Sequence, residues 1–132
     1  MVTNTIKQLV AGEVDSVDHS AGRDCKILDF NARRGTVGKL LAEDGFSQVY
    51  AQEGSEHRKS ALLKKGYYKD VEAYIVGKLA LPHKLRRSFD VVTCSGGLGT
   101  NLLPARCFED MLAALKPRGY VIFTLSQKHL CQ

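Results

Sequence analysis

The stretch Cys25-Lys-Ile-Leu-Asp-Phe30, followed directly by Asn31-Ala-Arg-Arg-Gly35, decides the fold that this sequence predicts. The first six residues have the character of a short buried strand, and the next five form a glycine-containing turn. A helical stretch then runs from Gly35 to Asp44, and Gly45 stands where many helices end in a left-handed residue. A buried strand that leads through a tight turn into a helix is the first half of a β-α-β unit.

Strand-like and helix-like segments continue to alternate along the chain. Further strands are predicted over 48–53, 71–76, 88–94 and 120–125. The segments between them include a helix capped by Ser55 and ended by Gly66. Strands separated by helix-length segments favour right-handed crossovers and a parallel sheet with helices on both faces. We therefore predict an α/β, Rossmann-like domain with strand order 3-2-1-4-5.

A last helix is predicted over 106–116 from its apolar spacing. The residues at positions i, i+3, i+4 and i+7 are Phe108, Met111, Leu112 and Leu115. We expect these four side chains to form the buried face of the helix. A leading helix is also predicted over 4–18, where apolar residues lie along one side.

Length and composition limit the organisation of the chain. Its 132 residues are 44% hydrophobic, which is enough for one domain with a real core. We expect a single domain over 1–132, with the leading helix and a loop in 1–24 and the core in 25–126. The net charge of +5 is a mild basic excess, so a dedicated nucleic-acid binder is not indicated.

Cysteine spacing and the N-terminal sequence bear on metals and location. The four cysteines, at 25, 94, 107 and 131, form no CxxC motif, so neither a disulfide framework nor a zinc site is supported. We find no signal peptide and no membrane span in the sequence. These features predict a cytoplasmic protein without a membrane partner, although they do not separate the cytoplasm from the nucleus.

Four stretches carry a resemblance to a known family. They are Ile27-Leu-Asp-Phe-Asn-Ala-Arg-Arg-Gly-Thr-Val-Gly38, the strand ending in Glu53, Ser88-Phe-Asp-Val-Val92, and Leu115-Lys-Pro-Arg-Gly-Tyr-Val-Ile-Phe-Thr124. Together they resemble the class I S-adenosylmethionine-dependent methyltransferases, over about residues 26–125. Within that class the sequence looks closest to the small methyltransferase-like branch first described from the Williams-Beuren region. The resemblance implies S-adenosyl-L-methionine as the cofactor.

The resemblance also implies which residues bind the cofactor near the first strand. In that family the strand ends in an acidic residue and a GxGxG turn, which lets the backbone approach the methionine part closely. Here Asp29 and Gly35 remain, while Asn31 and Arg33 stand at the first two glycine positions. Asn31 tolerates a positive φ, whereas we expect Arg33 to avoid one and to extend its side chain across the pocket. Glu53 would bind the ribose hydroxyls, and Asp29 the cofactor's amino group.

Two later strand ends complete the implied site. The third strand leads into Gly77-Lys78, which offers no carboxylate for adenine, so backbone groups and apolar walls would have to hold the base. Ser95 lies in the turn after the fourth strand, where relatives approach the sulfonium and the acceptor. Structural alternatives stay open: a turn cap for Asp29, a solvated strand end for Glu53, and a ligand-free glycine turn over 94–99.

Few groups with reactive chemistry are indicated. Methyl transfer depends mainly on aligning an acceptor with an already activated methyl group. His57 and His83 are interpreted as exposed histidines, and Cys25 and Cys94 as small apolar residues. The predicted function is methyl transfer to a small-molecule acceptor. The alternative is an inactive methyltransferase-fold remnant that acts as an interaction module, and dinucleotide binding is less favoured because a pyrophosphate needs the same glycine turn.

The C-terminal end of the sequence leads to a prediction about partners. Complete members of the class continue past the fifth strand into an antiparallel hairpin, but this sequence ends at Gln132, seven residues beyond Leu125. We therefore expect a sheet without that hairpin, in which 120–125 forms an open edge. Unpaired edges invite pairing, so we expect another chain, a symmetric dimer or the leading helix to cover this one.

Overall fold

A five-stranded parallel sheet organises the part of the chain that the structure describes. The computed structural model describes residues 21–76, 78–95 and 107–124. The strands are β1 (Ile27–Phe30), β2 (Val49–Glu53), β3 (Asp70–Ala73), β4 (Phe89–Ser95) and β5 (Leu115–Thr124). Neighbouring strands are parallel and the order is β3-β2-β1-β4-β5. The predicted fold class and strand order are confirmed.

Helices cover both faces of this sheet. They are α1 (Thr36–Glu43), α2 (Glu56–Lys65) and α3 (Cys107–Ala114), and short 3-10 turns lie at Ala21–Asp24 and His83–Leu85. Successive strand residues point to opposite faces, so β1 contributes Ile27 to one core and Leu28 to the other. Leu41 of α1 packs in the first core, and Met111 of α3 packs in the second. The described residues thus form a three-layer α/β arrangement.

The ends of α1 and α2 follow the local signals in the sequence. Gly35 and Gly45 flank α1 with φ of 81° and 95°. The Ser55 hydroxyl accepts a hydrogen bond from the Arg58 amide at 3.3 Å and caps α2, which ends at Gly66 with φ of 78°. Such an N-cap contributes about 1 kcal/mol. These four positions confirm the predicted helix boundaries to within a residue.

The predicted buried face of α3 is confirmed at Met111 but wrong at Phe108 and Leu112. The buried residues are Cys107, Asp110, Met111 and Ala114, whereas Phe108 and Leu112 are 42% and 64% exposed. Tyr74 explains the difference, because its hydroxyl donates a 3.0 Å hydrogen bond to the Asp110 carboxylate inside the core. That bond satisfies a buried polar group and turns the helix away from the orientation that apolar spacing alone predicts.

The last helix is also shorter than predicted, because β5 begins at Leu115. Phe89 pairs with Leu115, but Val91 pairs with Tyr120, so residues 116–119 bulge outward opposite Asp90. A Cβ atom on Gly119 would lie 2.8 Å from a Leu115 methyl carbon and 3.0 Å from the Asp90 carbonyl oxygen. Only glycine fits at that point of the bulge. The third strand likewise ends at Ala73, short of the predicted 76.

Several predictions fall on residues that the structure does not describe. The leading helix over 4–18, Gly77, the glycine turn at 96–99 and the chain beyond 124 lie outside the described residues. Within the described ranges, no helix is long and apolar enough to cross a membrane. The same ranges contain no group of three or more metal-ligating side chains placed to hold an ion.

Candidate functional site

The turn after β1 has a left-handed backbone at every second residue. Asn31, Arg33 and Gly35 have φ of 57°, 57° and 81°. The prediction that Arg33 avoids this region is wrong, although the conformation costs an arginine about 1–2 kcal/mol. Its side chain is exposed, so it is not packed inside the protein. The chain therefore makes a tight glycine-type turn with one glycine instead of three.

The carboxyl end of β2 holds this turn in place. The Asn31 amide donates to Gln52 Oε1 at 2.8 Å, and the Ala32 amide donates to the Gln52 carbonyl oxygen at 3.0 Å. The Arg33 amide donates to Glu53 Oε2 at 2.9 Å. Gln52 is itself fixed, because its Nε2 donates to the Tyr74 carbonyl oxygen at 2.9 Å. These bonds offset the strain at Arg33.

Gln52 is a site residue that the sequence analysis missed. It is buried beside Glu53 at the end of the second strand. A glutamine in that place has no ligand-binding signature of its own, and its role appears only when β1 and β2 are paired. Its position next to a predicted binding residue is the one signal that would have singled it out.

The Glu53 carboxylate is buried and makes several contacts. Its residue is only 1% exposed, so a solvated strand-end position is ruled out. Besides the Arg33 amide on Oε2, Oε1 accepts the Gly54 amide at 3.0 Å and pairs with Arg58 Nη1 at 3.1 Å. A carboxylate offers about four acceptor positions, and three of them are used. No further donor from the part of the chain that the structure describes reaches Oε2.

Asp29 lies beneath the turn, inside the protein. Tyr68 Oη donates to Asp29 Oδ2 at 2.6 Å, and Thr93 Oγ1 donates to Oδ1 at 3.1 Å. Burial raises the pKa of Asp29 to about 6, against the two hydrogen bonds that lower it, and Glu53 adds a small further increase. Both donors are side chains from other strands or loops. The described contacts of Asp29 therefore do not include a cap on the following turn.

Tyr68 fills the space between α1 and the sheet. A Cβ atom on Gly38 would lie 2.2 Å from the Tyr68 ring carbon Cζ. Glycine at position 38 therefore permits the close packing of α1 against Tyr68. Burial, together with the charge of Asp29, raises the pKa of Tyr68 well above its ordinary range, so the phenol stays a donor.

The structure brings four of the six predicted site residues to one edge. Asp29, Asn31, Gly35 and Glu53 lie at or after the carboxyl ends of β1 and β2, which are neighbours in register. Ser95 ends β4 on the other side of β1, and its backbone pairs with Thr124. Gly77 is outside the described residues. The cofactor roles of all six remain predictions.

The histidines and cysteines agree with their structural interpretation. His57 and His83 are exposed. Cys25, Cys94 and Cys107 are buried and form no disulfide bond within the described ranges, and burial raises the pKa of Cys25 to about 11. A thiol with a raised pKa is a poor nucleophile, so the predicted apolar role fits these described cysteines.

A parallel sheet in this order, with a left-handed turn after its first strand and an acidic residue ending its second, defines a Rossmann-like methyltransferase fold. Three solved structures, two of them methyltransferases, are similar to this chain. The S-adenosylmethionine-dependent methyltransferase from Mesorhizobium loti has 22% identity and a TM-score of 0.58, over 92% of this chain and 53% of that one. Protein PH0226 from Pyrococcus horikoshii has 18% identity and a TM-score of 0.60, over 98% and 56%. The sugar N-methyltransferase KedS8 from Streptoalloteichus sp. has 21% identity and a TM-score of 0.60, over 91% and 46%.

The family is shown by a separate comparison. The family described as DREV methyltransferase matches residues 2–129, and the chain belongs to it. No curated protein matches the chain significantly. The resemblance to S-adenosylmethionine-dependent methyltransferases is thereby confirmed, and S-adenosylmethionine is the cofactor that this membership implies. The chain spans about half the length of the three solved structures, and at their identities the likeness establishes the fold.

Proposed function

We propose that this protein binds S-adenosylmethionine at the carboxyl edge of β1 and β2 and transfers its methyl group to a small-molecule acceptor. One observation carries the proposal. Asn31, Arg33 and Gly35 keep the alternating left-handed backbone of a glycine-rich turn, although only one glycine is left. Ligands of open α/β sheets bind at this edge, and the chain retains this costly turn there.

The residues present fit the adenosyl and methionine parts of the cofactor. The backbone of 31–35 would face the methionine part, and the free acceptor position on Glu53 Oε2 would take one ribose hydroxyl. A second ribose hydroxyl would bind Glu53 Oε1 only after Arg58 had moved away from that oxygen. The Arg58 side chain is 58% exposed, so it is free to move into solvent. Asp29 is buried under the turn and would reach the amino group through water.

The cofactor and the protein contribute different parts of the reaction. The sulfonium group supplies an activated methyl group when it is bound. The chain's own residues bind and orient the two reactants, which is where most of the rate enhancement of such a transfer arises. Glu53 sets the ribose position, and the turn at 31–35 sets the distance of the methionine part from β1.

The acceptor class comes from the branch that the sequence resembles. A small molecule is the default acceptor there, and the sugar N-methyltransferase among the structural neighbours supports the same class. We further propose that another chain or a second copy covers the edge strand β5. Tyr120, Val121 and Ile122 of that strand are partly exposed, and β5 is at the end of the strand order.

One observation favours the alternative of a catalytically inactive interaction module. Three of the four acceptor positions on Glu53 are used by the chain's own Arg33, Gly54 and Arg58. If these bonds persist in solution, the carboxylate mainly fixes the turn and has at most one acceptor position left for a ribose hydroxyl. The two functions therefore differ in what Glu53 does.

Calorimetric titration of the full chain with S-adenosylmethionine and S-adenosylhomocysteine tests the choice. We expect micromolar binding that falls at least about tenfold in Glu53→Gln, because a charge-assisted hydrogen bond is lost. Glu56→Gln is the matched control, since Glu56 is an exposed residue in the first turn of α2. The absence of binding heat at millimolar ligand would contradict cofactor binding and favour the interaction module.

A second measurement addresses the acceptor. The protein is incubated with methyl-labelled cofactor and a cell extract, and the label is then separated by ultrafiltration. Label in the low-molecular-mass fraction supports a small-molecule acceptor. Label confined to protein or nucleic acid contradicts the proposed acceptor class while leaving cofactor binding intact.

A further inference from the structure

A cavity opens at the edge of the sheet opposite the candidate site, where β4 and β5 begin. It measures about 670 Å³, within the range of roughly 300–1,000 Å³ that holds drug-sized ligands. Three segments enclose it: the turn around His83–Leu85 with the two residues that follow, the bulge at 116–119, and the last turn of α3. Because the strands are parallel, this edge is the one away from Asp29 and Glu53.

The lining of this cavity is basic and apolar. Its basic members are His83, Arg86, Arg87, Lys116 and Arg118. Its apolar members include Leu112, Leu115 and Pro117, and none of the described lining residues is acidic. A concave site with an apolar wall and converging cationic groups suits an organic anion.

Backbone strain points to the same place. Among the described residues only four that are not glycine have a positive φ, and two of them are Arg87 at 47° and Arg118 at 69°. This backbone conformation is unfavourable for any residue with a side chain. Residues held in such conformations cluster at binding sites, where the surrounding structure enforces them. Two strained arginines that line one cavity therefore require an explanation.

Backbone contacts fix both arginines. The Arg87 amide donates to the Ala113 carbonyl oxygen at 2.9 Å, which ties the first segment to α3. Arg118 lies in the bulge at 116–119. There Gly119 packs against the Asp90 carbonyl oxygen. The two positions are thus set by the fold and not by flexible loops.

Among the described residues, the arginine guanidinium groups at this cavity have no ion-pair partner. Lys116 Nζ lies 3.4 Å from Asp90 Oδ1, which partly neutralises that lysine. In the part of the chain that the structure describes, Arg86, Arg87 and Arg118 have no carboxylate within ion-pair distance. Three arginines around one cavity without counterions leave an excess of positive charge for a ligand to neutralise.

We propose that this cavity binds an organic phosphate of nucleotide size. The guanidinium groups of Arg87 and Arg118 hold its phosphate oxygens, because the planar fork of arginine matches phosphate geometry. Its carbon skeleton lies on Leu112 and Pro117. The cavity is concave and small, and the net charge of the chain is only +5, which favours a small ligand over a nucleic-acid duplex.

Titration of the full chain with uridine 5′-diphosphate, inorganic pyrophosphate and uridine tests the proposal. These probes lack adenine and sulfonium, but the diphosphate keeps a ribose that Glu53 could bind. Binding at this cavity is therefore the part that Glu53→Gln leaves unchanged. We expect the diphosphate to bind, pyrophosphate to bind more weakly, and uridine not to bind. Absence of diphosphate binding at millimolar concentration overturns the proposal, as does equal binding of uridine.

Replacing the two arginines that have a positive φ should leave the protein folded. In the double variant Arg87→Gly/Arg118→Gly, glycine adopts the same φ without strain, so the melting temperature should stay equal or rise. Affinity for uridine 5′-diphosphate should fall at least about tenfold, since charge-assisted hydrogen bonds are lost. A variant with unchanged affinity contradicts the assignment.

A charge-matched control separates a site from a general charge effect. Lys59→Gln/Lys64→Gln removes two positive charges from α2, and affinity should stay within about twofold. An equal loss in both double variants overturns the proposal. Tighter binding of a DNA duplex than of the diphosphate, lost in the arginine variant alone, replaces it with a nucleic-acid surface.

Discussion

Tyr68 Oη lies 2.6 Å from Asp29 Oδ2, in a hydrogen bond buried between α1 and the sheet. It joins the loop before β3 to the centre of β1, 39 residues apart in the sequence. With the bond from Thr93 on the other oxygen, it stabilises the charged form of a carboxylate that burial disfavours. The site therefore rests on a buried carboxyl group whose pKa is raised to about 6.

Asp29 should make the free energy of unfolding fall as pH rises. Its pKa is raised from an ordinary value of 3.8 to about 6, mainly by burial, so the folded state binds the proton more tightly than the unfolded chain. The contribution is fully present below about pH 4 and is lost as pH rises through about 6, by about 2–3 kcal/mol in total. Urea unfolding from pH 4 to 7 measures it.

Asp29→Asn provides the comparison for this pH dependence. Asparagine keeps an acceptor for Tyr68 or Thr93 but does not titrate. The difference in unfolding free energy between the native chain and the variant should therefore change between pH 4 and 6 and be flat above about 7. A difference that is constant over the whole range would show that Asp29 keeps its ordinary pKa in the fold.

Gly38→Ala should destabilise the protein by about 1–3 kcal/mol, because the added methyl group meets the Tyr68 ring at 2.2 Å. Gly54→Ala is the matched control. There the nearest atom, Ile75 Cγ1, would be 4.0 Å away, and the effect should lie between zero and about 1 kcal/mol of stabilisation. Thermal unfolding of both variants distinguishes the sites, and equal melting temperatures would place Tyr68 elsewhere.

Arg33→Gly should stabilise the protein by about 1 kcal/mol. The backbone at position 33 has φ of 57°, and glycine adopts that value without the side-chain clash. Arg34→Gly serves as control, because Arg34 is exposed and its φ is not positive, so that variant should lose stability. If both changes lower the melting temperature equally, the left-handed turn is not the solution conformation.

The sequence predicts those features that local chemistry determines. Gly45, Ser55 and Gly66 end or cap helices through their own side chain or backbone freedom, and their roles are confirmed. The alternation of strands and helices predicts a parallel sheet, whereas the strand order 3-2-1-4-5 is taken from the Rossmann-like class and is not a local property. None of these features depends on whether the carboxyl edge of the sheet binds a ligand.

Features that depend on distant partners could not be read from the sequence. Asp110 enters the core because Tyr74, 36 residues away, donates to it, and this overrides the apolar spacing of α3. Arg33 adopts a positive φ because Glu53 accepts its amide across 20 residues. In each case tertiary hydrogen bonding outweighs a local preference of about 1–2 kcal/mol.

Arg58→Gln should tighten binding of S-adenosylmethionine if that ligand takes both oxygens of Glu53. Arg58 Nη1 occupies Oε1 at 3.1 Å from an exposed position, and such partly solvated pairs are worth about 0.2–1 kcal/mol. Removing the competitor should therefore raise the affinity by about two- to fivefold. Lys64→Gln, on the same helix but away from Glu53, should leave affinity unchanged. Weaker binding in Arg58→Gln, with the control unaffected, would mean that Arg58 holds Glu53 in its binding orientation.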